Sequence, residues 1–166
     1  MTPLHKMLTD RRGVSALEFV LVMPLLAFIM FAVADYGNAL QQILRLESAA
    51  RAGAQVALTA PGNTDGIRAA VLNNLSGWSA APNCSNGVGN GVCVTTRTWC
   101  QCSPTTTANI NPANAVSCDS GDTTTPVCTT QNPLSQFVSI TVTRPYAWLQ
   151  IVPFETLRGN VELRVL

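Results

Sequence analysis

The 166-residue sequence predicts an α+β protein, a long N-terminal membrane-spanning helix packed on a small, disulfide-stapled, loop-rich C-terminal β domain. Three observations predict it. From Gly13 to Ala34, 22 residues carry a single charge, Glu18. At ~1.5 Å per residue that run crosses the ~30 Å hydrocarbon core of a bilayer. The next stretch, "DYGNALQQILRLESAARAGAQVALTA" (35–60), is rich in Ala, Leu and Gln and meets no proline before Pro61, so the helix continues. All six cysteines lie beyond the apolar run, in a region dominated by Ser, Thr, Asn, Gly and Pro, and alternating strand patterns follow.

The elements follow in chain order. Residues 1–13 are a mildly basic leader, with His5, Lys6, Arg11 and Arg12 against Asp10. That bias places the N-terminus in the cytoplasm and exports the C-terminal part. Residues 14–34 form the transmembrane half of the helix, where Pro24 kinks rather than ends it. Residues 35–60 are its amphipathic extension, and Val14 to Leu58 reads as one helix of about 45 residues, roughly 67 Å long. Tyr36, Leu40, Ile43 or Leu44, Ala50, Ala54 and Ala57 recur at three- and four-residue steps as one apolar stripe. Ala49, Gly53 and Ala57 fall four apart, as do Ala50 and Ala54. Small residues at that spacing admit a close backbone, either of the protein's own domain or of a neighbouring subunit.

The exported domain spans 61–166. "IRAAVLNNLSGW" (67–78) predicts a short helix ending near Gly77, and "GVCVTTRTW" (91–99) a strand by its β-branched content. In "FVSITVTRPYAWLQIV" (137–152), Phe137, Ser139, Thr141 and Thr143 share one face, and Val138, Ile140 and Val142 the other. Pro145 breaks that strand or sends it along an edge. "NVELRVL" (160–166) returns as a partner after a turn at Gly159.

Cys84, Cys93, Cys100, Cys102, Cys118 and Cys128, confined to the exported side, fit disulfides in an oxidising compartment. Cys100 and Cys102 are too close for an easy mutual bridge and pair elsewhere. Zinc fits less well, because no second C-x-C or C-x-x-C accompanies this one and the sole histidine, His5, lies across the membrane. The Cys-rich region 84–128 reads as a stabiliser of a small core, or else as an adhesive decoration.

A net charge of +1 with 11% charged residues offers no basic face for nucleic acid. No phosphate loop, H-E-x-x-H or G-x-S-x-G is present, and the exported part has no histidine base, so no enzyme and no cofactor is expected. Asp119 and Asp122 in "CDSGDTTTP" read as a solvated turn, lacking the EF-hand pattern. Trp78, Trp99 and Trp148 read as core or interface residues before they read as a carbohydrate-binding face.

Glu18 needs a reason, since an acid inside a membrane segment costs on the order of a few kcal/mol near its centre, less near an interface. An uncut signal anchor leaves it unexplained. So does a secretory signal cut at Ala32-Val33-Ala34, before Asp35. A cut after Gly13 explains it: Val14 gains an α-amine whose pKa lies near 7.7–8.0, and Glu18, one helical turn along, can meet it in its own chain or a neighbour. Alternatively Glu18 rests at headgroup level in the favourable field of the helix start.

"G-V-S-A-L-E-F" (Gly13–Phe19) resembles the prepilin-peptidase recognition sequence of type IV pilin-like proteins, and the Glu18-Phe19 pair is similar to the tight-adherence (Tad) branch. The proline in the apolar segment, the exit Asp35-Tyr36-Gly37 and the block "AARAGA" (Ala49–Ala54) resemble TadE-like minor pilins, or pseudopilins. The resemblance covers residues 11–58. It implies cleavage between Gly13 and Val14 and a type IV pilin-like helix in the bacterial inner membrane. The partners it implies are a prepilin peptidase with aspartate chemistry, the Tad platform proteins and ATPase, and other pilin subunits. It also implies a role in aiding or priming pilus assembly and surface adherence. The 153 residues left after such a cut are too many for the much smaller major pilin. The rival expectation is a disulfide-stabilised binding or adhesion module, secreted or singly anchored and unrelated to pili.

Overall fold

The computed structural model describes residues 12–85, 87–102, 111–118, 121–122, 125–126, 128, 133–146 and 155–165, with the main chain alone at 12–15, 121–122 and 125–126. Most of the expected leader, Asp119, Trp148 and the far end of the expected 137–152 strand lie outside the described residues.

Helix α1 runs unbroken from Arg12 to Thr59, 48 residues with Pro24 inside it, about 72 Å of rod. It stops where Pro61 forbids continuation, and the Thr59 hydroxyl donates to the Val56 carbonyl at 3.0 Å. Helix α2 is Thr64–Asn74, with Asp65 in its first turn. It starts earlier than the expected 67 because Asn63 caps it, its Oδ1 accepting from the Gly66 N–H at 2.9 Å. Gly77, at φ +86°, turns the chain after it.

The strands are β1 (Cys93–Cys102), β2 (Gly121–Asp122), β3 (Thr125–Pro126), β4 (Leu134–Pro145) and β5 (Thr156–Arg164). The main sheet has the order β1-β4-β5, antiparallel at both joins, and β2 and β3 pair with each other as a second, two-stranded sheet. The period-2 pattern works as expected in β4. Val138, Ile140 and Val142 are fully buried in the core formed with Leu46, Ala50, Ile67, Val71 and Leu157, while Ser139 and Thr141 alternate onto the far face. Pro145 ends the central strand, paired with Thr156.

Two expectations about close packing are corrected. The buried stripe of α1 is Asp35, Ala39, Leu46, Ala49, Ala50 and Ala57, with Gly53. Of the expected stripe, Ala50, Ala54 and Ala57 join or pack against the core, and of the alternatives Ile43 and Leu44 it is Ile43 that packs there; Tyr36 and Leu40 are 48% and 42% exposed, and Leu44 64%. Where the sheet lies nearest the helix, small side chains fill the interface, and Leu46 is the one large aliphatic of the helix that is fully buried among the described residues. Gly159 is not a turn: it sits inside β5, opposite Val142. A Cβ there would stand 2.5 Å from the Leu46 carbonyl carbon and 2.6 Å from the Glu47 nitrogen. The glycine is where helix and strand backbones touch.

Three disulfides hold the loop-rich part: Cys84–Cys93, Cys100–Cys118 and Cys102–Cys128, with Cα–Cα distances of 5.8, 5.1 and 5.4 Å. Cys102 pairs across the sheet with Leu134, so the second and third bridges tie the long β1–β4 connection to the strand end from which it departs. Each closed loop lowers the entropy of the unfolded chain.

Gly159→Ala should destabilise the protein by about 3 kcal/mol, since neither backbone can retreat from the methyl. Gly37→Ala, on the same helix with nothing within 4 Å of its Cβ position, should gain about 0.5–1 kcal/mol of helix propensity. Chemical unfolding of the detergent-solubilised protein measures both.

Candidate functional site

The candidate processing and packing residues sit on α1, whose two halves face different surroundings. In the first, Leu17, Leu21, Met30 and Val33 are each at least two-thirds exposed, and the most apolar window of the helix is uncovered by the rest of the chain. Length and composition suffice to cross a membrane. Such a surface is stable only in lipid or against other apolar helices. Glu18 and Phe19 are exposed on this half. The Gly13–Val14 bond lies in the first turn of the helix, where main-chain N–H groups have no intrahelical acceptor. Val14 and Glu18 are one turn apart, about 6 Å along the axis.

The second half starts where the domain takes hold. Asp35 is fully buried. The Tyr146 hydroxyl, just past the end of β4, lies 2.6 Å from Asp35 Oδ1 and 2.8 Å from its main-chain carbonyl oxygen, donating toward both acceptors. Burial, and then the hydrogen bond and charge of Asp35, push the Tyr146 pKa up to about 12. Two turns further, Gln42 Oε1 accepts from Arg144 Nη1 at 3.0 Å, and Gln42 Nε2 donates to Asn38 Oδ1 at 3.4 Å. The Arg144 guanidinium stacks 4.1 Å above the Trp78 ring, and burial lowers its pKa from the ordinary value. The last residues of β4 therefore hold α1 through a polar chain at the point where the apolar run ends.

Ala49, Ala50, Gly53 and Ala57 are buried against the protein's own α2 and sheet, and Ala54 is half-buried there. A Cβ at Gly53 would meet Val71 Cγ2 at 2.6 Å. Trp99 is buried and stacked on Phe137, ring centroids 4.6 Å apart. With Trp78 half-covered beneath Arg144, these two tryptophans offer no open stacking platform. No group of three His, Cys, Asp or Glu side chains converges on a metal site among the described residues.

Against known proteins, residues 13–55 match the family model described as TadE-like protein, consistent with a TadE-like, pilin-type protein. No curated protein and no solved structure matches. The matched segment contains Glu18, Asp35 and the small-residue block.

Sequence reasoning placed Asp35 in a family-like exit motif but missed its buried role. Its partner Tyr146 lies 111 positions away, and no local pattern announces such a contact. The signal available was the acid itself, closing an apolar run instead of being repelled by it.

Tyr146→Phe should cost about 1–3 kcal/mol, because it strips a donor from a buried carboxyl. The raised pKa also sets a sign. The neutral phenol is favoured in the folded state, so its contribution is complete below pH 10 and is lost as pH climbs from 10 through about 12. Melting temperature followed over that window should fall more steeply in the wild type than in Tyr146→Phe.

Proposed function

We propose that this chain is a minor pilin, or pseudopilin, of the Tad (type IVc) pilus system, a non-enzymatic subunit that aids or primes pilus assembly and surface adherence. Residues 14–34 anchor it in the bacterial inner membrane, with the N-terminus cytoplasmic and residues 61–166 periplasmic. The observation that carries this reading is the coincidence of the TadE-like match at 13–55 with a bare apolar half-helix bearing one carboxylate.

In this reading a prepilin peptidase cuts between Gly13 and Val14. The new α-amine is largely cationic at neutral pH and needs an anion at the membrane boundary. Glu18 supplies it, in the same chain or in a neighbouring pilin docked with a small axial offset. Either charge alone in low dielectric is penalised, so the pair fixes register as subunits leave lipid for helix–helix contacts. Tyr36, Leu40 and Leu44, exposed on α1 beyond the apolar run, extend the lipid-facing surface toward neighbouring subunits. The same helix supports retention of the anchor: it runs unbroken through Ala34–Asp35, and a secretory cut there would create a charged amine at a fully buried residue.

Cells carrying Glu18→Ala should insert the protein into the inner membrane normally yet yield on the order of tenfold fewer sheared surface filaments, an effect of about 1.4 kcal/mol on assembly. Glu18→Asp should restore part of the yield. Undiminished filaments from Glu18→Ala would reject the register role, and absence of the wild-type protein from sheared filaments and from their assembly complex would reject the pilin reading.

A further inference from the structure

The face of the sheet turned away from the helices carries a built polar recess that none of the preceding roles uses. Strand register places Thr95, Thr141 and Asn160 in one row across β1, β4 and β5, and Cys93, Thr143 and Arg158 in the next. One end of these rows is walled by the hairpin between Cys84 and Cys93, closed by their disulfide and by the Ser85–Val88 bridge. The Thr143 hydroxyl donates to the Gly87 carbonyl and ties that wall to the floor. Between wall and floor is an open cavity of about 400 Å³ lined by Cys84, Gly87, Thr95, Thr141, Thr143 and Arg158.

Its chemistry is specific. Among the described residues, Arg158 is the one charged group in the lining. Its hydrogen bond among the described residues is a long one, Nη2 to Thr141 Oγ1 at 3.4 Å, so most of its N–H donors point to solvent. Thr141 is oriented by donating to Asn160 Oδ1 at 2.9 Å and accepts the long bond from Arg158, which leaves one lone pair to the recess, and Thr95 is exposed beside it. Gly87 has φ +77°, and a Cβ there would lean to 3.7 Å from Thr95 Oγ1. A side chain at 87 would be strained and would narrow the space. A guanidinium amid hydroxyls favours an anion that also carries hydroxyl groups, and the threonine methyls and Cys84 give the C–H face of a ring something to rest on. The volume is at the small end of ligand sites and holds one ring, while the open sheet lets a chain continue past it.

We infer that this recess binds a carboxylated sugar unit of an acidic polysaccharide, the carboxylate on Arg158 and the ring hydroxyls on Thr95 and Thr141. The site gives the Cys84–Cys93 bridge a task beyond stability: it holds the wall. The inference stands apart from the pilin reading, because binding is measured on the purified protein and requires no filament.

The test uses the full chain in detergent micelles over immobilised polygalacturonate, read by biolayer interferometry. Wild-type protein should bind, and added salt should weaken it. Arg158→Gln should weaken binding at least tenfold and Thr95→Val several-fold, while Arg68→Gln on α2 leaves it unchanged. Neutral dextran should not bind, and polyglutamate, which has carboxylates without hydroxyls, should bind at least tenfold more weakly. Unaltered melting temperatures of Arg158→Gln and Thr95→Val show that the fold persists. Should either lower the melting temperature, the other variant decides. No binding of the wild type to polygalacturonate, wild-type affinity in Arg158→Gln, or equal binding of dextran or polyglutamate would overturn the inference.

Discussion

How near the backbone of α1 comes to β5 governs the rest of this structure. At Gly159 the strand touches the main chain of Leu46 and Glu47, and the helix answers with Ala49, Ala50, Gly53 and Ala57 over α2 and the sheet. At these positions the side chains are methyls or hydrogens, and at Gly159 the two backbones make the contact themselves. Side chains of ordinary size would separate them, and dispersion contacts along the interface would be lost steeply with distance. The β-branched residues of β4, Val138, Ile140 and Val142, fill what remains between the layers.

This grip reaches only as far as Asp35. Below it no element among the described residues covers the helix, whose described side chains there are apolar apart from Glu18; above it, one face is covered by α2 and the sheet. The transition is abrupt because the end of β4 makes it so: Tyr146 on Asp35, Arg144 on Gln42, and Gln42 on Asn38. Tyr146, Arg144, Gln42 and Asn38 Oδ1 are hydrogen-bonded to one another or to Asp35 at this junction, while Asn38 Nδ2 is buried without a partner among the described residues. The bonds made resist tilting of the domain on its rod, since a tilt would strand more donors and acceptors away from water. In the proposed pilin role, the domain and helix then move as one body when the apolar half exchanges lipid for neighbouring helices.

Much of this was legible in the sequence wherever the cause is local. Hydropathy and length gave the 48-residue helix nearly to its ends, because lipid solubility is a sum over adjacent residues. Period-2 alternation gave β4 and its faces, and the clustering of cysteines beyond the apolar run gave disulfides without their pairing. The amphipathic half was read correctly at Ala50, Ala54, Ala57 and the Ile43 alternative, but hydropathy also favours Tyr36 and Leu40 for burial, and these are exposed. Gly159 was read as a turn because glycine serves turns and close approaches equally, and only the tertiary neighbour tells them apart. Arg158 beside Thr95 and Thr141 was invisible, because strand register alone brings them together.

The central claim is that one uninterrupted helix serves at once as membrane anchor and as the framework of the exported domain. The most direct measurement is the N-terminal residue of the native protein recovered from cells, by mass spectrometry of the intact chain. The account predicts Val14, which keeps the whole rod and exposes an amine one turn from Glu18. A chain beginning at Asp35 would contradict it, since the rod would then be severed at the residue that Tyr146 holds.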